Sequence, residues 1–565
     1  MKRWAKILLG GVAVLGGGLY LSADYIKLNL NRWLSGPVAP NRAVAWNQGP
    51  PAVLPAGQRP PNIILIVADD LGWGDVSVTG KGVAGMATPN IDAIGRDGVV
   101  FANGYAGNAT CAPSRAALLT GRYATRFGYE FTPTDVGVPG WFPTSIIRPD
   151  AMFARNIASF PSDWEHKTVF DEAAARNLSP PGGKGVPASE ITIAEQLKSR
   201  GYHTVHLGKW HLGEAKGMRP EDQGFDESLG FIIGGQKYLP EDHPESVNSY
   251  QDFDPIDRFL WANLPYSVQF NGSPRFAPDR YMTDYLSHHA VQAIRASRNR
   301  PFFLYLAYNA PHTPLQALKS DYDALAGIKD HRTRVYAAMV RAVDRGVGQV
   351  MAELKRQGLD DNTLLIFTSD NGGAHYVGLP DLNKPYRGWK ASFYEGGTHL
   401  PFLMRWPGRI APGTRMASPV SHFDIFATAS AAAGATLPAD RTIDGVDLMP
   451  FVAGEATGAS GGVPHRTLFW RSGGYRVVLH DGWKLHSLTH PAGDRLYDLN
   501  SDPTERRDVA ASQPARVAAL KALLAAHDRQ QAPPAWPSLI RSPIPLDRPL
   551  GAKPIASEGY VYWWN

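Results

Sequence analysis

The chain has 565 residues, of which 44% are hydrophobic and 10% aromatic, enough to bury a large core and long enough for two or more structural units. Its formal charge is +5, and four of those five charges arise before residue 36, where Lys2, Arg3, Lys6, Lys27 and Arg32 face only Asp24. The remainder is nearly neutral and carries no basic stripe or polybasic run, which argues against a nucleic-acid partner, and a single cysteine, Cys111, excludes an internal disulfide.

Residues 1–6 form a positive cap on ILLGGVAVLGGGLYLSA, residues 7–23, which are largely apolar and uncharged. This reads as an export signal. Leu21-Ser22-Ala23 offers a small-residue cleavage site, while the run approaches the roughly 17–25 residues that span a bilayer, so cleaved signal (1–23) and retained membrane anchor both stand. In either case the cationic end stays cytoplasmic and the rest is exported, to a periplasmic or extracellular space. A buried helix is disfavoured there, because glycines such as Gly10, Gly11 and Gly16 each cost about 1 kcal/mol in one. Residues 24–60 read as a Pro-rich linker, an extended tether with no face to bury.

Asn62–Ala68, NIILIVA, is a continuous apolar run of a parallel strand buried on both faces, and it delivers Asp69 and Asp70 at its end. The pattern recurs. Thr192 and Glu195 make a capping box that opens a helix, Gly201 closes it, and the strand Tyr202–Leu207 runs into GKWHLG. Pro301–Ala307 is a strand ending at NAPHTP. A helix over 333–357, with Val335, Met339, Val343 and Val347 on one face, precedes a strand over 363–368 that ends at Ser369-Asp370-Asn371. Such alternation predicts an α/β fold whose strand ends converge on one ligand site. Residues 230–290, aromatic and rich in polar turns, read as an insertion shaping the rim of a pocket. Beyond 462, TLFWRS, YRVVLHD, GWKLHSL and RLYDLN are short alternating strands, followed by the helix VAALKALLAAH. They predict a smaller C-terminal α+β domain with an antiparallel sheet over 462–545, with a tail, 546–565, that wraps the surface or frays.

Cys111-Ala-Pro-Ser-Arg115, followed by AALLTGR, resembles the signature of the type I sulfatases, members of the alkaline phosphatase superfamily. The resemblance runs from Pro61 to about Ala510 through PNIILIVADDLGWGD, TPNIDAIGRDGVVF, GKWHLG, APHTP, SDNGG, RGWKASFYEGG and LYDLNSDPTE. It implies an alkaline phosphatase-like fold over 61–461, a large mixed, mostly parallel sheet sandwiched by helices, and hydrolysis of a small-molecule or carbohydrate sulfate ester. In that family the cysteine is oxidised during export to Cα-formylglycine, by formylglycine-generating machinery that reads C-x-P-x-R in unfolded chain. Pro113 and Arg115 would then be recognition elements, with Arg115 also holding the aldehyde hydrate after folding. One hydroxyl of the hydrate attacks sulfur in line; the other, once deprotonated, collapses to the aldehyde and expels sulfate. Without such neighbours a lone cysteine reads as a buried inert thiol.

Asp69, Asp70, Asp370 and Asn371 are oxygen ligands at the ends of two expected strands, a set suited to a hard divalent cation. Taken singly, Asp69-Asp70 is better read as a helix cap and Asp370-Asn371-Gly372 as a turn; together, at converging strand ends, they are not. The resemblance implies that the four, with residue 111, bind one Ca2+ per chain, Mg2+ remaining the alternative. Lys209 and His211 sit two apart and share one side of an extended segment. The resemblance places Lys209 on the sulfate oxygens and His211 at the second hydroxyl as base, with His312 and Lys390 supplying a proton or positive charge to the leaving alkoxide. His203, His288, His289, His465 and His490 read as surface or satisfied side chains, and Trp73, Trp210 and Trp389 as packing. His206, His375 and His399 stand between: His375 is placed to face a substrate, and His399 occupies a position where the family commonly has arginine, leaving the ion pairing there open. Two other readings stand beside the sulfatase, namely a phosphate or phosphonate ester hydrolase of the same superfamily and a catalytically silent tethered binding protein. A singly charged sulfate suits one metal with Lys and His, whereas two-metal phosphatases need more acidic ligands. The alcohol half, aryl, sugar or steroid, stays open.

Overall fold

The run Asn62–Ala68 is buried along its whole length, as only the middle of a covered sheet allows. In a computed structural model of the protein, the described residues are 37–50, 59–83, 85–133, 154–155, 157–158, 164–176, 183–454, 462–555 and 557–565. The expected export signal and parts of the expected linker lie outside them. Among the described residues nine strands form the main sheet: β1 (Asn62–Ala68), β2 (Val99–Phe101), β3 (His203–Lys209), β4 (Glu227–Phe231), β5 (Gln269–Phe270), β6 (Phe302–Ala307), β7 (Thr363–Ser369), β8 (Phe402–Arg405) and β9 (Thr414–Met416). Their order is β9-β2-β8-β7-β1-β6-β3-β4-β5. The central run β7-β1-β6-β3-β4 is parallel, while β8 and β5 pair antiparallel at its borders.

Strand alternation sorts the side chains into two layers. Ile64 and Ile66 pack with helices α1 (Pro89–Arg96), α4 (Met282–Ala296) and α5 (His331–Arg356). Ile63, Leu65 and Val67 pack with α2 (Cys111–Thr120), α3 (Ile193–Lys198) and α6 (Asp424–Ala432). Each such side chain contributes about 1.5–3 kcal/mol on burial. The capping box forms at α3: Glu195 N donates to Thr192 Oγ1 at 3.2 Å and Thr192 N to Glu195 Oε2 at 2.8 Å.

Three expectations change. Residues 230–290 are only partly an insertion, since β4 and β5 join the main sheet and α4 begins at Met282 with Met282, Leu286 and Ala290 on the core; the aromatic turns upstream mask that helical spacing. Within the expected tether, Trp46 is buried against the domain, its Nε1 donating to His289 Nδ1 at 3.3 Å, and Ala39 bridges to Phe276. Proline excludes a ladder there but not the docking of one large aromatic side chain.

The C-terminal unit has the expected antiparallel sheet, β10 (Thr467–Ser472), β11 (Tyr475–His480), β12 (Trp483–Thr489) and β13 (Ala492–Asp498), in that order. Val478, Leu485 and Leu496 meet Leu520 and Leu524 of α7 (Pro514–Asp528), while Leu468, Trp470 and Tyr475 join the main core. The tail is the third change. β14 (Ile540–Pro545) pairs with β15 (Tyr560–Trp564) and with the short strand Val169–Phe170, so the boundary expected at 545 falls inside a hairpin.

Candidate active site

Neighbouring strands finish at one edge of the sheet. The register that sets Ala68 opposite Ser369 brings Asp69-Asp70 beside Asp370-Asn371, with Asp370 N donating to Ala68 O and Asp70 N to Asp370 Oδ1, each at 3.1 Å. Asp70 takes φ +63° to do so, a left-handed conformation that short polar side chains tolerate. α2 aims its first turn at this corner. Its alanines and leucines favour helix, Pro113 sits in the first turn, where a backbone N–H has no helical partner, and Gly121 ends it at φ +69°. Cys111 opens that helix, placing Sγ 3.5 Å from Asp69 Oδ1, 3.7 Å from Asp70 Oδ1 and 3.0 Å from Lys390 Nζ. Arg115 follows one turn on, fully buried, its Nε donating to Asp370 Oδ2 at 2.8 Å and its Nη1 to Lys209 O and Tyr305 Oη.

The cations and imidazoles close the cluster. Lys209 Nζ donates to Asp69 Oδ2 at 2.7 Å, Lys390 Nζ to the two oxygens of Asp70 at 2.7 and 2.9 Å, and His312 Nε2 lies 3.7 Å from Asp70 Oδ2. His211 lines the same cavity, though not along an extended segment. β3 stops at Lys209 and His211 takes φ +60°, next to Gly234, where a Cβ would stand 2.9 Å from His211 Cε1. The glycine pairs of SDNGG and EGG answer each other: a Cβ on Gly372 would lie 2.0 Å from Gly396 O.

Burial pushes Asp69 up to about 7, Lys209 opposing and Asp370 adding repulsion. Asp70 is held below the carboxylate range, its burial outweighed by Lys390, His312 and Lys209 together. Asn371 gives Nδ2 to Asp70 Oδ1 and Gly372 O, which leaves its Oδ1 buried without a partner. Crowded carboxylates beside an orphaned amide oxygen fit a hard divalent cation such as Ca2+. Among the described residues, the ligating atoms of Asp69, Asp70, Cys111 and His312 lie within 4.8 Å of one another. His312 thus joins the acids and Cys111 at this corner, while Asp370 turns its Oδ2 to Arg115. Burial and Asp370 push the Cys111 thiol up, so it is protonated at neutral pH and a poor nucleophile. Burial holds His312 down to about 3, Asp70 opposing and Lys390 and Lys209 adding to it; burial and Lys209 hold His211 well below its usual value.

A cavity of about 860 Å3 opens onto Cys111, His211, His312 and Lys390. His375 lines it too, its Nδ1 buried without a partner. Phe253, Ile256 and Phe259 form a rim from the 230–290 segment, and Ile540, Ile544, Arg548 and Trp563 form a wall from the tail. Sequence reasoning missed that wall, and also Tyr376, which donates to Asp70 Oδ2 at 3.0 Å, and Asn383, whose amide ties Gly373 to Gly388. No motif signals either residue; each acts through the folding of a loop. His399 settles the open pairing: its Nδ1 lies 2.7 Å from Glu395 Oε2. His203 and His465 are satisfied by Glu227 and Asp424, His206 meets Ser228 through Nδ1 and leaves Nε2 buried without a partner, and Trp73 packs on Tyr386 and His399.

This fold and this charged corner define a hydrolase of the alkaline phosphatase superfamily. Residues 61–435 match the family model of the sulfatases, and the chain belongs to the sulfatase family. It is 32% identical over 441 residues to the N-acetylgalactosamine-6-sulfatase of Rattus norvegicus, covering 76% of this chain and 72% of that one. Arylsulfatase A of Homo sapiens is 31% identical over 516 residues, 82% of this chain and 87% of that one. The crystal structure of Ps i-CgsB matches with a TM-score of 0.68 at 32% identity, covering 85% of this chain and 95% of that one. The protein is a sulfuric ester hydrolase.

Proposed function

We propose that the chain is an exported sulfatase that cleaves a sulfate monoester with side chain 111, converted to Cα-formylglycine, as nucleophile beside one Ca2+. One observation carries the reading: Cys111 Sγ stands 3.5 Å from Asp69 and 3.0 Å from Lys390, at the centre of the acids, cations and imidazoles this chemistry uses, in a form too weakly acidic to act as a thiolate. The hydrated aldehyde supplies an oxygen nucleophile that expels sulfate by collapse, and Ca2+ supplies a Lewis acid that lowers the pKa of the hydrate and polarises the sulfuryl group.

The remaining work falls to the chain's own side chains. Asp69, Asp70, Asp370 and Asn371 would hold the ion through their carboxylate and amide oxygens, and Arg115 fixes Asp370 from behind. Lys209 binds the sulfate oxygens. His211, neutral and with Nδ1 free of a partner, takes the proton whose loss releases sulfate. Lys390, with the neutral His312 beside it, brings positive charge and a proton to the bridging oxygen, where charge grows as the S–O bond breaks. Export is read from residues 1–23, which also bring the unfolded CAPSR stretch to the formylglycine-generating machinery; among the described residues no helix is long and apolar enough to cross a membrane.

Mass spectrometry of the peptide spanning residue 111, purified from the exporting host, tests the reading alongside turnover of a chromogenic aryl sulfate and its phosphate counterpart. The expected result is an aldehyde at 111 and sulfate release that a chelator stops and calcium restores, with no comparable phosphate release. Cys111→Ala abolishes turnover while the thermal midpoint is kept. Wild-type turnover in that variant, or preference for the phosphate, overturns the proposal.

A further inference from the structure

The loop that delivers Lys390 is fastened from outside the main sheet. Arg387, three residues earlier, donates Nε and Nη2 to the two carboxylate oxygens of Asp547 at 2.8 and 2.6 Å, the paired geometry that makes such contacts strong and directional. Its Nη1 donates to Glu505 O at 3.1 Å, and Gly388 N donates to Leu546 O at 3.2 Å. Asp547 also pairs with Arg506 at 2.5 Å, so one carboxylate joins the main domain, the antiparallel unit and the tail. Little room is left for the guanidinium to move: a Cβ on Gly559 would stand 2.6 Å from Arg387 Nη2. On its inner side the same loop is tied to the ligand loop, with Lys390 N donating to Gly373 O at 3.1 Å and Asn383 Nδ2 to Gly388 O at 3.1 Å.

We propose that Asp547, acting through Arg387, is a positioning residue that sets where the Lys390 ammonium stands against the bridging oxygen of the ester. The inference rests on the role given to Lys390 above. When Asp547 is neutralised, the loop keeps its inner tie to Gly373 and the pull of Asp70 on Lys390 but loses the charged, paired part of its outer anchor, retaining there only the single hydrogen bonds to Glu505 O and Leu546 O, and the ammonium settles toward Asp70 and away from the leaving oxygen. Stabilisation of that oxygen matters most for a poorly leaving alcohol. A misplaced Lys390 therefore slows alkyl or sugar sulfates far more than a nitrophenyl sulfate.

The test measures kcat and KM of enzyme from the exporting host on 4-nitrophenyl sulfate and on an alkyl sulfate, for Asp547→Asn, Arg387→Gln, their double variant, Asp547→Glu and Lys390→Ala. For Asp547→Asn we expect kcat on the alkyl sulfate to fall about 10- to 100-fold, the scale of a small misplacement, with a much smaller fall on the nitrophenyl ester and little change in KM. The double variant is no worse than either single one, because both remove one interaction, and Asp547→Glu recovers part of the alkyl rate. Equal slowing of both esters by Asp547→Asn, or no slowing of either, overturns the inference. Lys390→Ala separates it from the reading beneath it. If that variant discriminates between leaving groups and Asp547→Asn does not, only the positioning role fails; if Lys390→Ala does not discriminate, the role of Lys390 fails and the inference with it.

Discussion

His211 enters the cavity from a left-handed backbone conformation against a glycine, and its ring has one orientation only while that glycine lacks a side chain. Gly234→Ala would put a Cβ 2.9 Å from the ring. We expect a fall in kcat of about 10- to 100-fold from the displaced imidazole, with a thermal midpoint close to wild type; unchanged kcat would show that His211 does not need this orientation. At this scale the sequence is informative about which residue types meet and weak about how. Asp69, Asp70, Cys111, Arg115, Lys209, Asp370 and Lys390 stand in motifs whose spacing survives folding. Tyr376 lines the cavity and Asn383 braces the loop that carries it, and no residue pattern announces contacts that irregular loop geometry makes.

The elements were legible wherever one periodic signal dominated. β1 and β7 are runs buried on both faces, and α3 is marked by its capping box. Thr192→Ala should cost about 1 kcal/mol in urea unfolding and leave turnover unchanged, since neither Thr192 nor any residue of α3 lines the cavity. The beginning of α4 and the β14-β15 hairpin were missed for opposite reasons. Aromatic turns precede the first, and proline and tryptophan in the second obscure the alternation of a strand. α4 also carries a titrating group: burial, with the neighbouring His288, holds His289 down to about 4, and Trp46 donates to its Nδ1. The native state thus favours the neutral ring, so its contribution is full above the ordinary value of 6.5 and is lost as pH falls from there through 4. The slope of unfolding free energy against pH between 6.5 and 4 should be shallower in His289→Gln than in wild type; equal slopes would refute the assignment.

Across the whole molecule, the C-terminal sheet is joined to the main domain by buried charge. Lys484 Nζ lies 2.7 Å from Glu395 Oε1 and 3.4 Å from Glu505 Oε1, and His486 Nε2 lies 2.8 Å from Glu505 Oε1, every one of these side chains at most 2% exposed. Glu395 N donates to Glu505 at 2.6 Å and Glu395 also binds His399. Lys484→Met would leave two carboxylates buried without their cation and should cost about 3–5 kcal/mol by urea unfolding. A loss below about 1 kcal/mol would mean that the network tolerates its absence. By itself, the sequence determined the parallel strands, the acids at their ends, the capped helix after Thr192 and the family to which these belong, because strand burial, capping and motif spacing are local properties of the chain. Only the tertiary structure decided that His312 joins the tightest ligand group, that the tail walls the cavity and that Asp547 holds the Lys390 loop, because each depends on pairing between segments far apart in sequence, whose contacts carry no periodicity to read.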